Sequence, residues 1–235
     1  MSKYRTLLFD VDDTLLDFSA AEDEALHRLF AENGLDLTEE VENCYKEINS
    51  GLWSAFERGE ISREEIVDTR FSLLFKEYGK EVDGKQLGER YQQLLAENHD
   101  FIDGASDLVH RLASHFDLYI VTNGVTKTQY KRLKDSGLYP LFKDIFVSED
   151  TGYQKPMKEY FDYVFARIPT CDLSSTLIIG DSLSSDIKGG LNAGIDTCWF
   201  NPHHKVNKIS VQPMYEIERL EDLHAIVEEQ PIISK

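Results

Sequence analysis

From Phe101 onward the chain keeps one rhythm, a helical stretch followed by a short apolar run. "ASDLVHRLASH" leads to "DLYIVTNG", and "TKTQYKRLKDSG" leads to "DIFVSED". "KEYFDYVFARI" then leads to "STLIIGDS", and "SDIKGGLNAG" to "IDTCWFN". A short strand at 215–217 and a helix over 220–227 close the series. Strands joined through helices cannot pair as hairpins; they lie parallel, with the helices covering both faces of the sheet. The apolar run that ends at Asp10 is of the same kind. The predicted fold class is therefore α/β, with a Rossmann-like parallel sheet as its core.

Between that first strand and Phe101 no strand interrupts positions 19–97. Ser19 to Glu22 has capping-box spacing ahead of Ala25, Leu26, Leu29 and Phe30. A second helix is predicted from Thr38 to Gly59, a third after the capping box Ser62 to Glu65, and a fourth over Gln86–Glu97. The helical block reads as an insertion after the first strand. Residues 1–16 with 100–235 would form the core, and 17–99 an all-helical cap. The hinges fall near Leu16–Phe18 and Asn98–Gly104.

Charge narrows the partners. With 25 basic residues against 43 acidic ones, the net charge of −18 argues against a nucleic-acid polymer and against anionic lipid. A small anionic substrate would need a local cation. No apolar run approaches the roughly eighteen residues that span a bilayer, and the three-residue run before Asp10 is no signal peptide. Cys44, Cys171 and Cys198 lie far apart without metal spacing, so they read as buried reduced thiols of a cytoplasmic protein. A monomer or weak dimer is expected.

In an open α/β sheet, ligands bind beyond the carboxyl ends of the strands. Those ends carry Asp10-Val11-Asp12-Asp13-Thr14, Thr122-Asn123-Gly124, Lys155-Pro156, and Gly180-Asp181 with Asp186. At i and i+2, Asp10 and Asp12 can point the same way, while Asp13 shapes the turn. Asp181 and Asp186 would crowd more negative charge into the same cleft. A hard divalent cation resolves the repulsion; Mg²⁺ takes carboxylates, waters and a substrate phosphate as ligands. Thr122 can offer its hydroxyl, Asn123 and Gly124 their amides, to anionic oxygens. Lys155 can neutralise both substrate and nucleophile.

Taken in order, these four segments resemble the signature motifs of the haloacid-dehalogenase (HAD) superfamily, whose α/β core often carries a helical cap just after the first motif. "LWSAFERGEIS", "GDSLSSDIKGGLNAG" and "CWFNPHH" further resemble the bacterial pyrimidine 5′-nucleotidase branch. The resemblance implies that Asp10 is the nucleophile, forming an aspartyl-phosphate, and that Asp12 is the general acid and base. It implies Mg²⁺ held by Asp10, the Asp12 backbone carbonyl and Asp181, with Asp186 supporting. Thr122, Asn123 and Lys155 would stabilise the transferring phosphoryl group. An acid at position 12 favours phosphate monoesters over halides.

The expected activity is Mg²⁺-dependent hydrolysis of nucleoside 5′-monophosphates. A sugar-phosphate phosphatase or phosphomutase is the alternative, and a catalytically silent phosphate-binding module the remoter one. Phe18, Trp53 and Arg70 are the cap candidates for the nucleobase, which suits aromatic faces and a guanidinium. His203-His204 reads as a loop, and the stripe Tyr160, Phe161, Val164, Phe165 as helix packing.

Overall fold

A computed structural model describes residues 2–228. The first strand, β1 (Thr6–Phe9), is followed by four helices: α1 (Phe18–Glu32), α2 (Glu39–Glu57), α3 (Arg63–Glu77) and α4 (Gly84–Leu95). The alternating part then runs α5 (Ala105–Leu112), β2 (Asp117–Thr122), α6 (Thr126–Asp135), β3 (Asp144–Val147), α7 (Ser148–Thr151) and α8 (Lys158–Phe165). It ends with β4 (Thr176–Gly180), α9 (Lys188–Ala193), β5 (Asp196–Phe200), β6 (Tyr215–Ile217) and α10 (Leu223–Val227). Two compact units result, one of Met1–Asp17 with Asp100–Lys235 and the other of Phe18–His99.

All six strands of the first unit are parallel, in the order β3-β2-β1-β4-β5-β6. The pleat explains the sequence of β1. Leu7 and Phe9 face one core, with Leu118, Ile120, Leu177 and Ile179, and Leu8 faces the other, with Val121, Tyr160 and Phe161. A strand covered on both faces has no polar side to show, so Leu7, Leu8 and Phe9 follow one another without alternation. Burying each such leucine is worth about 1.5–3 kcal/mol. The chain steps from β1 toward β3 on one side and from β4 toward β6 on the other. The reversal point lies between β1 and β4, with Phe9 level with Ile179. That is where an open sheet leaves a crevice beyond its strand ends.

The second unit packs four amphipathic helices around Leu26, Leu29, Phe30, Tyr45, Phe71, Leu74 and Tyr91. Two of its helices start at the caps the sequence shows. Thr38 accepts from Val41 N–H at 3.3 Å, and Ser62 and Glu65 complete a reciprocal capping box. The other two differ from expectation. α1 begins at Phe18, a residue before the predicted box, and Glu22 instead accepts from Asn49 Nδ2 at 2.9 Å. α4 runs Gly84–Leu95, not 86–97, because Asp83 caps it and its glycines lie against α3. A Cβ on Gly88 would stand 2.0 Å from the Val67 carbonyl oxygen, so the bare glycine face is the packing surface.

The chain leaves the sheet unit and returns side by side: Asp17 N–H donates to the Asp100 carbonyl at 2.9 Å, and Leu16 bridges Phe101. The expected last segment of helix is a 3₁₀ turn, Leu220–Asp222, followed by α10. No helix of the described residues is long and apolar enough to cross a membrane. The thiols are free, but only Cys198 is buried; Cys44 and Cys171 are half-buried, since each sits at the margin of its core.

Candidate active site

Asp10 is the first residue beyond β1, and its N–H still donates to the Ile179 carbonyl at 3.0 Å. The sheet ladder therefore fixes the backbone of the residue that carries the first carboxylate. Asp13, at φ +55°, turns the chain away. Thr14 is fully buried, and its Oγ1 accepts from Asp181 N–H at 3.1 Å. Trp199 Nε1 donates to the Asp181 carbonyl at 2.8 Å. These two bonds tie the exit of β4 to the exits of β1 and β5.

Lys155 is the cationic centre. The residue is 1% exposed, and its ammonium makes three bonds, to Asp10 Oδ1 at 2.6 Å, Asp186 Oδ1 at 2.7 Å and the Val121 carbonyl at 2.8 Å. That is the full donor capacity of an ammonium. Asn123 sets the loop carrying it, since Nδ2 donates to the Lys155 carbonyl and Oδ1 accepts from Lys155 N–H, both at 2.9 Å. Asp186 reaches inward because position 180 has no side chain; a Cβ on Gly180 would fall 2.3 Å from the Asp186 carboxylate. Its Oδ2 accepts from Ser182 N–H at 3.0 Å.

Asp10, Asp181 and Asp186 offer carboxylate oxygens that all lie within 4.8 Å of one another. Burial pushes the Asp10 carboxyl well above its ordinary range; Lys155 opposes the shift, and Asp186, Asp12 and Asp181 add to it. Burial likewise pushes Asp181 up to about 7, helped by Asp186 and opposed by Lys205, whose ammonium touches Asp181 Oδ2 at 3.3 Å. Burial would lower Lys155, but Asp10 and Asp186 outweigh it and hold the ammonium above its ordinary value. One buried ammonium does not compensate three carboxylates. The oxygen-only donor set and this surplus of negative charge fit a hard divalent cation such as Mg²⁺.

The side chain of Asp12 takes a different partner set. Oδ2 accepts from Gln129 Nε2 at 2.7 Å, and Oδ1 pairs with Arg132 Nη1. Gln129 Nε2 also reaches Thr122 Oγ1 at 2.9 Å. The Gly124 N–H, expected to face an anion, instead turns back onto Thr122 Oγ1 at 3.1 Å. A tight turn satisfies its own amide when a hydroxyl stands two residues upstream.

Gln129, Arg132 and Trp199 also bear on the site without a motif to mark them, while Thr14 belongs to the first motif without a role assigned from it. The signal for the first two was a polar pair at i and i+3 on the helix after Thr122, which resembles any solvated face. Of the cap candidates, Arg70 is buried, 3.4 Å from Asn49 Oδ1 and stacked 4.4 Å from the Tyr91 ring centre. Trp53 is half-buried, edge-on to Phe56, and half-buried Phe18 packs at the margin of the helical core. His203 and His204 are exposed, beyond β5.

A parallel sheet with three acids and a lysine gathered at its reversal point defines a hydrolase site of known type. The haloacid dehalogenase-like hydrolase model matches residues 7–200, and the chain belongs to that family. Among its relatives is YfnB of Bacillus subtilis (strain 168), named only to the HAD-hydrolase level, 60% identical over 234 residues and covering 100% of both chains. The crystal structure of YfnB, described as magnesium-bound and revealing interdomain movement, superposes with a TM-score of 0.92 at 61% identity, over 97% of this chain and 100% of that one. Pyrimidine 5′-nucleotidase PynA of Streptococcus pneumoniae is 46% identical over 94% of this chain and 93% of its own. Pyrimidine 5′-nucleotidase YjjG of Escherichia coli is 31% identical over 96% and 98%.

Proposed function

We propose that this hydrolase is a Mg²⁺-dependent phosphomonoesterase that works through an aspartyl-phosphate on Asp10, with pyrimidine nucleoside 5′-monophosphates as its substrates. The observation that carries the reading is the convergence of Asp10, Asp181 and Asp186 on one point with Lys155 between them. The relatives named as pyrimidine 5′-nucleotidases, at 46% and 31% identity, support the substrate class.

Lys155 binds Oδ1 of Asp10, so Oδ2 is the oxygen that attacks phosphorus. As the new P–O bond forms in line, the ester P–O bond breaks and its electron pair stays on the leaving oxygen. Asp12 gives its proton to that oxygen, and the alcohol departs. Asp12, now a carboxylate, takes a proton from water; the water oxygen attacks phosphorus, and Asp10 is released with inorganic phosphate. Both lone pairs of Thr122 Oγ1 are taken by Gly124 and Gln129, so its hydroxyl hydrogen is what it has left for the phosphoryl oxygens. Lys155 and the backbone amide of Asn123 complete the anion-stabilising set. Mg²⁺, held by Asp10, Asp181, Asp186 and the Asp12 carbonyl, would screen the charge between nucleophile and phosphate.

Choice of substrate belongs to the helical unit, with Phe18, Trp53 and Arg70 as the candidates for the base. The substrate is a small phosphate ester, not a polymer, and the enzyme acts in the cytoplasm as a monomer or weak dimer. Phosphate release from a panel of nucleoside and sugar monophosphates, with and without Mg²⁺, tests the reading. Hydrolysis of uridine and thymidine 5′-monophosphates only with Mg²⁺ is expected. Preference for sugar phosphates, or no turnover with any ester, would overturn it.

A further inference from the structure

Gln129 and Arg132 lie one turn apart on α6, and each is 1% exposed. Burying an amide and a guanidinium is costly unless their hydrogen bonds are replaced, so the direction of those bonds says what the residues are for. Gln129 Nε2 spends one hydrogen on Asp12 Oδ2 at 2.7 Å and the other on Thr122 Oγ1 at 2.9 Å. Arg132 Nη1 takes Asp12 Oδ1 and lies 3.5 Å from Gln129 Oε1. Both oxygens of Asp12 are thus held from one side, while the Asp12 side chain remains 29% exposed on the other. An apolar residue at either helix position would fill the same space and hold nothing.

We propose that Gln129 and Arg132 are positioning residues: together they fix the Asp12 carboxyl where it exchanges its proton, and Gln129 also aims the Thr122 hydroxyl. The inference rests on the reading of Asp12 as general acid and base. It gives α6 a task beyond covering the sheet. One helix face sets the proton-transfer group and a phosphate donor in fixed relation, so that proton delivery to the leaving oxygen keeps step with breakage of its bond to phosphorus.

Leaving-group chemistry separates positioning from mere support. An alkoxide must be protonated as its P–O bond breaks, whereas p-nitrophenolate departs as a stable anion and needs no acid. The experiment measures kcat/KM for uridine 5′-monophosphate and for p-nitrophenyl phosphate in wild type, Gln129→Met, Arg132→Met, Arg132→Lys and Asp12→Asn. The methionine variants should lower the value for the nucleotide at least about tenfold more than for the aryl ester. Arg132→Lys, which keeps the cation, should recover part of that selective loss. Parallel losses on both esters, or no loss, would overturn the proposal. Should Arg132→Met not fold, Gln129→Met, nearly equal in volume, carries the test, with thermal unfolding as the check on its fold. Asp12→Asn distinguishes the two levels. If its loss is also unselective, the acid–base reading fails and the positioning role with it; if its loss is selective while both methionine variants are not, the positioning role alone fails.

Discussion

Lys155 Nζ stands 2.6 Å from Asp10 Oδ1 in a site where the lysine is 1% exposed. The same ammonium is the link to Asp186, so it ties two of the three clustered acids together. Replacing it leaves buried carboxylates without a partner, a change that costs about 3–5 kcal/mol in comparable pairs. Lys155→Met should lose about 10³-fold or more in turnover. Its melting temperature should drop more in EDTA than with Mg²⁺, because a cation bound only by the folded state restores the missing charge. Calorimetric melting in both buffers checks this; equal drops would contradict it.

Asp12 has its side chain on Gln129 and Arg132 and is not one of the three clustered acids. Asp12→Ala should therefore leave Mg²⁺ affinity nearly unchanged in titration calorimetry. Turnover should still fall about 10²-fold or more, the usual worth of a general acid. Loss of Mg²⁺ binding in parallel with activity would place the side chain on the metal instead.

Gly180 is the space into which Asp186 reaches. Gly180→Ala should push that carboxylate outward and weaken Mg²⁺ binding about tenfold or more, as disturbing a ligand's surroundings does. Unchanged affinity by calorimetry would mean that Asp186 is not needed to hold the cation.

In the helical unit, burial pushes Glu22 up to about 7, with Lys46 and Arg70 opposing. A raised carboxyl pKa means the folded state binds the proton more tightly than the unfolded one. Stability from this group is full below the unfolded value of 4.5 and falls as pH rises to about 7, by up to about 3 kcal/mol. Glu22→Gln can keep the bond from Asn49 and has no charge to bury. It should melt higher than wild type at pH 8 and nearly level with it at pH 4.5. The same difference at both pH values would show that the charge is not the cause.

Much of this was legible in the residues. The β–α alternation, the strand ends and the four motifs follow from local patterns, because a doubly covered strand must be apolar and its exit must not. Asp10, Lys155, Asp181 and Asp186 come together as the order of strands requires. Side-chain partnerships across elements were not legible. Glu22 looked like a cap and is paired with Asn49; the fourth helix, expected over 86–97, starts at Gly84 because its glycines pack against α3. Gln129 and Arg132 stood out by no motif and are buried. Periodicity reports which way a residue can face, and not what the neighbouring element puts there.

The most direct test of Asp10 as nucleophile is to trap the covalent species. Wild-type protein with Mg²⁺ and a nucleoside monophosphate is quenched in acid within a turnover, and its peptides are mapped by mass spectrometry. One phosphoryl group on the peptide that contains Asp10, absent from Asp10→Asn, is the predicted result. A phosphoryl group on another residue, or turnover by Asp10→Asn at the wild-type rate, would contradict it.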